Sequence, residues 1–235
     1  MPYRRLPNTD QARVRALKTA VGKGDASNVR ELAISLNVLS EARSFLAKFE
    51  VAQLYYTRCY EIQSKASRKH QANVKMARLY ISHFIQVFNL SVLREEIKEN
   101  QKELYQLPDA NIVPDLTSES ALVEWGANII KGEQLRITQG GIPIYNPTIA
   151  RVKVHYDIFF ESHERQKNYQ VQTNRSLDEL AAMRERADEL ILDIWNQVEA
   201  RFQDVTPNEA RLDKCRDYGL VYYYRAGEKV KEEND

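Results

Sequence analysis

Leu79–Leu93 reads LYISHFIQVFNLSVL. It carries no charged side chain, and ten of its fifteen residues are apolar. Ser82, Gln86 and Asn89 recur at i, i+4 and i+7, on a line that continues back to Arg78 and Lys75 and forward to Glu96 and Glu103. One narrow polar stripe with apolar residues almost all round predicts a helix buried on most of its surface. Fifteen uncharged residues fall short of the roughly 20 needed to cross a bilayer. The stretch therefore reads as the central helix of a soluble bundle, with no membrane as partner.

Towards the N-terminus, no Gly or Pro occurs between Ala26 and Leu107. Leu39, Ala42, Phe45, Leu46, Phe49, Ala52, Tyr56, Cys59 and Tyr60 make an apolar helical face. The polar run Gln63–Asn73, QSKASRKHQAN, interrupts it and predicts a turn, giving an antiparallel hairpin over 28–106 capped by Ser27 or Asn28. A single unbroken helix is the alternative, but it would have to be a coiled coil or rod, which the all-round apolar centre opposes. Before it, residues 1–7 read as an extended arm. Asn8 with Gln11 forms a capping box for a helix that Gly22 and Gly24 end.

Towards the C-terminus, Arg94–Tyr105 reads as a charged continuation of the central helix, and Pro108 and Pro114 open a connector over 107–146. Within it, Ser118 or Ser120 caps a short helix carrying Leu122, Val123, Trp125, Ile129 and Ile130. Leu135–Thr138 and Ile142–Tyr145 predict two short strands around Gln139-Gly140-Gly141, with Pro143 confining the second to an edge. Asn146-Pro147 starts a second hairpin over 147–203. Its first helix carries Ile149, Val152, Tyr156, Phe159, Phe160 and His163, and the polar run Glu164–Asn174 predicts its turn. Ser176 with Glu179 caps the return helix, and Thr206-Pro207-Asn208-Glu209 caps a last short one. Leu220–Arg225 predicts a strand beside 142–145, within a C-terminal segment 206–226, and 227–235 a frayed tail. The expected fold is all-α, a single domain over 1–235 built as a bundle of two long helical hairpins with shorter flanking helices and a minor β element.

Composition bounds function more by exclusion than by indication. In 235 residues there are eight Gly and seven Pro, few enough to favour long helices, and the formal net charge of +1 gives no global reason to expect nucleic acid or membrane. No apolar secretory region follows Met-Pro-Tyr-Arg-Arg, so Cys59 and Cys215 read as reduced, buried thiols of a cytoplasmic protein. The segments MPYRRLPNTDQARVRALKTAV, GGIPIYNPT and YGLVYYYRAGE together resemble an uncharacterised bacterial family of helical proteins. The resemblance spans the chain, implies a soluble helical fold, and brings no activity or functional residue.

Catalytic and metal chemistry would show in residue spacing. A di-iron bundle needs Glu-x-x-His on two helices, and the chain has none. His155 and His163 lie eight residues apart, roughly 12 Å along a helix, too far to share an ion. His70, His83, His155 and His163 fall on three helical segments, and His83, in the central apolar helix, reads as a buried, hydrogen-bonded structural histidine rather than a ligand or base. No zincin, Walker, nucleophile-elbow or Cys-x-x-Cys motif occurs. The sequence thus predicts no catalytic residue, no metal and no cofactor. Two surfaces stand out instead. Arg136, Gly140, Gly141, Pro143 and Tyr145, with Tyr222, Tyr224 and Arg225, form a candidate interaction surface, against a plain reading as hairpin and packing residues. Arg4, Arg5, Arg13, Arg15 and Lys18 form a candidate basic patch, against a plain reading as a solvated helix face. The expectation is a non-enzymatic interaction or scaffold protein that binds an unidentified protein or itself. A nucleic-acid-associated protein using the basic segment and the Tyr-rich strand is the alternative.

Overall fold

The computed structural model describes residues 2–108 and 110–225; the expected tail 227–235 lies outside the described residues. The fold is all-α. In chain order the elements are β1 (Tyr3–Arg4), α1 (Asp10–Ala26), α2 (Leu36–Leu93), a 3-10 helix (Glu99–Tyr105), α3 (Glu119–Thr138), α4 (Ile149–Ala182), α5 (Arg184–Arg201), α6 (Asn208–Arg216) and β2 (Tyr222–Tyr223).

The largest departure from expectation is α2. It is one helix of 58 residues, and Gln63–Asn73 is helical throughout, so there is no hairpin over 28–106. The run is polar but holds no breaker. Lys, Arg, Gln and Ala are good helix formers, and polarity alone does not end a helix. The helix begins after Ser35, whose Oγ accepts from the Val38 amide at 3.4 Å, rather than at Ser27 or Asn28. It ends at Leu93, where Glu95 takes a left-handed conformation (φ 62°) and the Glu96 amide donates to the Ser91 carbonyl at 3.0 Å. The charged tail is therefore a separate 3-10 helix. For the same reason Glu164–Asn174 forms no turn: α4 runs straight through it, Ser176 is buried inside the helix rather than capping one, and the break falls at Met183.

Other boundaries move less. Thr9, not Asn8, caps α1, and the helix passes through Gly22 and Gly24. Gly24 packs closely on α2: a Cβ there would stand 2.7 Å from a Leu39 methyl, which would have to shift. Leu135–Thr138 is the last turn of α3, not a strand. The partner of the Tyr-rich strand is the N-terminal arm: Tyr3 pairs with Tyr223 and Arg4 with Tyr222, antiparallel, and 142–145 takes no part. Thr206 does not cap α6, which starts after Pro207.

The chain divides into two compact units, Met1–Arg58 with Asn174–Asp235, and Cys59–Thr173. In the first, Leu17 and Ala20 of α1, Leu39, Ala42 and Leu46 of α2, and Leu190, Ile194 and Trp195 of α5 are buried in one cluster with Cys215 and Tyr218. Two bidentate pairs tie its helices: Arg13 to Asp188 at 2.7 and 2.8 Å, and Arg184 to Asp10 at 2.9 and 2.8 Å. In the second, Val74, Ala77, Ile81, Phe84, Ile85, Phe88 and Val92 of α2 pack with Tyr105, Leu122, Ile129, Val152 and Phe159. Gly126 lets α3 approach Tyr156, whose hydroxyl donates to the Val123 carbonyl at 3.1 Å.

The central stretch is therefore one-sided rather than buried almost all round. Met76, Leu79, Leu90 and Leu93 are 40%, 57%, 48% and 62% exposed, and His83 is exposed, not buried. Asn89, assigned to the polar stripe, is buried, and its amide donates to the Ile112 carbonyl at 3.4 Å.

Candidate functional site

The predicted surfaces come together only in part. Arg136 is 2% exposed and belongs to the interior of the second unit, not to an interaction surface. Its Nε and Nη2 donate to the two oxygens of buried Glu133 at 2.9 and 2.8 Å; Nε also donates to the Tyr105 hydroxyl, and Nη2 to the Ile142 carbonyl, each at 2.8 Å. Tyr105 donates to Glu133, which also accepts from the Ile144 amide at 3.1 Å. Burial pulls the Arg136 guanidinium down, but Glu133 and Tyr105 outweigh it and hold it above its ordinary value. Gly140 supplies the positive φ (88°) that turns the chain, and a Cβ on Gly141 would stand 2.8 Å from the Arg136 guanidinium. These residues fasten the 139–144 loop to α3. Pro143 and Tyr145 remain exposed beside it.

Tyr222, Tyr224 and Arg225 lie in the first unit. Tyr222 donates to Glu199 at 2.8 Å, and burial followed by that bond pushes its phenol up. Arg225 lies 4.4 Å from the ring of Tyr3. Of the basic patch, Arg4 pairs with Glu199 at 3.4 Å, Arg13 with Asp188 and Asp10, and Lys18 with Glu50 at 3.5 Å. Among the described residues Arg5 and Arg15 take part in no ion pair. Both line a groove of about 610 Å³ with Arg216, Asn8 and Thr19.

The exposed side of α2 holds a more regular surface. Met76, Leu79, His83, Gln86, Leu90 and Leu93 are spaced alternately by three and four residues, and all are exposed. That is the a/d repeat of a coiled-coil seam, on the face opposite Ile81, Phe84 and Phe88.

Sequence reasoning missed a further constellation. His70 (α2), Glu119 (first residue of α3) and His163 (α4) offer one ligand atom each, all within 4.8 Å of one another. His70 Nε2 stands 2.9 Å and His163 Nδ1 2.7 Å from Glu119 Oε2. Ser118 caps α3, accepting from the Ala121 amide at 3.1 Å, and Arg78 donates to the Leu116 and Thr117 carbonyls at 2.9 Å, which fixes the approach to Glu119. His70 is 3% exposed, and its ring lies 5.9 Å from that of buried Phe159. The Glu119 side chain is 36% exposed, so one side of the cluster meets solvent. Burial pushes the Glu119 carboxyl up, but the hydrogen bonds and charge of His70 and His163 prevail and hold it below its ordinary value. The sequence separations follow no motif. Two signals were present: His163 lies on the apolar stripe of α4, and His70, Val74, Ala77 and Ile81 share a helical line (i, i+4, i+7, i+11), which extends the buried face back into the polar run.

Among the described residues no helix is long and apolar enough to cross a membrane. No family model, no curated protein and no solved structure matches the chain.

Proposed function

We propose that the protein is a non-enzymatic interaction or scaffold protein that pairs with a second copy of itself through the exposed seam of α2. The observation that carries this is the symmetry of the seam. About a midpoint between Phe84 and Ile85, His83 is mirrored by Gln86, Leu79 by Leu90 and Met76 by Leu93. Two antiparallel copies related by a two-fold axis thus place each a position against a d position, the layering that an isologous helix pair needs. The polar pair falls in the central layer, where imidazole and amide can hydrogen-bond and fix the register, with leucine layers on either side.

Six side chains per copy cover less than the roughly 800 Å² per partner of a standard interface, so the expected association is weak, with Kd in the micromolar range. A cytoplasmic setting fits this reading, with Cys59 and Cys215 both free and buried. The test is sedimentation over a concentration series. Wild type should move from monomer towards dimer, and Leu79→Glu combined with Leu90→Glu should stay monomeric while keeping the wild-type circular dichroism. A concentration-independent mass, or a dimer that survives the double substitution, rejects the seam.

A second reading, association with nucleic acid, is supported by one observation: Arg5 and Arg15 line the groove with Arg216. It requires an oligonucleotide affinity that falls steeply between about 50 and 200 mM salt and drops again in Arg5→Ala with Arg15→Ala.

A further inference from the structure

The second unit places two imidazoles and a carboxylate on one point from three separate elements, and the hydrogen bonds around them restrict what that point can hold. Ser162 stands at the back of the cluster. Its hydroxyl lies 2.8 Å from His70 Nδ1 and donates to the Phe159 carbonyl at 2.8 Å. A hydroxyl has one proton. With that proton on the carbonyl, His70 Nδ1 donates to the hydroxyl oxygen, and Nε2, 2.9 Å from a carboxylate oxygen, either carries a second proton as an imidazolium or, in the neutral ring, offers a lone pair. Two lone pairs at that distance repel unless something positive lies between them. This is the arrangement around a metal-bound histidine: the outer nitrogen donates to a fixed oxygen, and the inner nitrogen faces the ion.

We infer that His70, Glu119 and His163 bind one divalent first-row transition cation of the zinc or iron(II) type, with Ser162 as the hydroxyl that orients His70. The donor set selects the ion. Two imidazoles and one carboxylate suit zinc and its first-row neighbours, whereas calcium and magnesium prefer oxygen ligands throughout. The geometry accepts it. Ligands about 2.1 Å from an ion and at right angles stand about 3.0 Å apart, and at the tetrahedral angle about 3.4 Å. The observed 2.9 and 2.7 Å lie at the lower edge of the first value, within a few tenths of an ångström of adjustment by an exposed glutamate and an α4 histidine. The backing is rigid, because His70 is buried and Phe159 lies 5.9 and 5.7 Å from the His70 and His163 rings. The ion would enter past Glu119, the most exposed of the three. Three protein ligands leave at least one position to water, so the ion would exchange with solvent rather than be sealed in.

Two competing arrangements use no ion: Ser162 donates to His70 Nδ1 and both neutral rings donate to Glu119, or His70 is an imidazolium that donates to Ser162 and Glu119 together. The ion site is separated from both by titrating the full-length chain, after dialysis against a chelator, with cobalt(II) followed by visible absorption and with zinc followed by calorimetry. The expected result is saturable binding of one ion per chain, displacement of cobalt by zinc, and a thermal midpoint raised by several degrees with zinc. His163→Ala should lower the affinity at least 100-fold, and Ser162→Ala 10- to 100-fold. Should His163→Ala fail to fold, Glu119→Gln, at the exposed ligand, must show the loss instead. Absence of saturable binding of either ion by the wild type overturns the inference, as does binding that Glu119→Gln leaves unchanged.

Discussion

Glu133 and Glu119 of the second unit are both held by basic side chains, and they differ in kind. Glu133 is fully buried and meets Arg136, a cation that never gives up its proton, together with a phenol and a backbone amide. Each of its partners is fixed in charge near neutral pH, and the network seals a loop against a helix. Glu119 is a third exposed and meets two imidazoles, groups that change charge near neutrality and can equally offer a lone pair. A buried carboxylate with a permanent cation is architecture. One with two imidazoles and an open side can take up an ion, and so has something to do.

That contrast can be broken at its closed end first. Arg136→Met leaves the Glu133 carboxylate buried without its cation and should destabilise the second unit by about 3–5 kcal/mol, read as a lower urea midpoint. Replacing both members together, Glu133→Leu with Arg136→Met, should recover part of that loss.

Tyr105→Phe is the next largest, at about 1–3 kcal/mol, because it removes a buried hydroxyl that bonds both Glu133 and Arg136. It also carries a sign. Burial, then the bond to Glu133, raises this phenol above its ordinary value near 10. The folded state keeps a proton that the unfolded chain gives up, so the contribution is intact below about pH 10 and is lost as pH rises further. The phenylalanine variant should show a shallower fall in stability above pH 10 than the wild type.

At the open end the losses shrink. Glu119→Gln should cost about 1 kcal/mol without metal, since its hydrogen bonds are to charged or polar partners but partly in water. Ser162→Ala should cost about 0.5–1 kcal/mol and shift the His70 ring from one tautomer to a mixture, visible in its imidazole nitrogen resonances. If Glu119→Gln proved as costly as Arg136→Met, the two carboxylates would be the same kind of object and the distinction would fall.

The sequence carried the helix faces well and their ends poorly. Val152, Tyr156, Phe159 and His163 lie on one line of α4, as periodicity predicted, and His163 joined the site from that line. Gln63–Asn73 and Glu164–Asn174 misled because a solvated helix turn and a loop share a polar composition, and only Gly, Pro or a left-handed cap separates them. Glu95, a left-handed residue without a glycine's signature, ended α2 where composition suggested continuation. Leu79, Leu90 and Leu93 misled in the other direction: an apolar residue on a helix declares nothing about whether its own chain or another covers it. The site escaped because its members converge from α2, α3 and α4, and convergence has no spacing.

The division of the chain has a consequence in time. Residues 59–173 are contiguous, so every member of the second core, from Val74 to Phe159, has been synthesised before the first unit's later half exists. Leu17, Ala20, Leu39 and Leu46 must wait for Leu190, Ile194, Trp195 and Tyr218. During synthesis at some 5–20 residues per second, the inner unit can fold from the ribosome as a finished object while the apolar faces of α1 and early α2 stay uncovered for several seconds. That interval is when this protein is most open to chaperones and to aggregation, and it is set by the order of the chain rather than by the strength of either core.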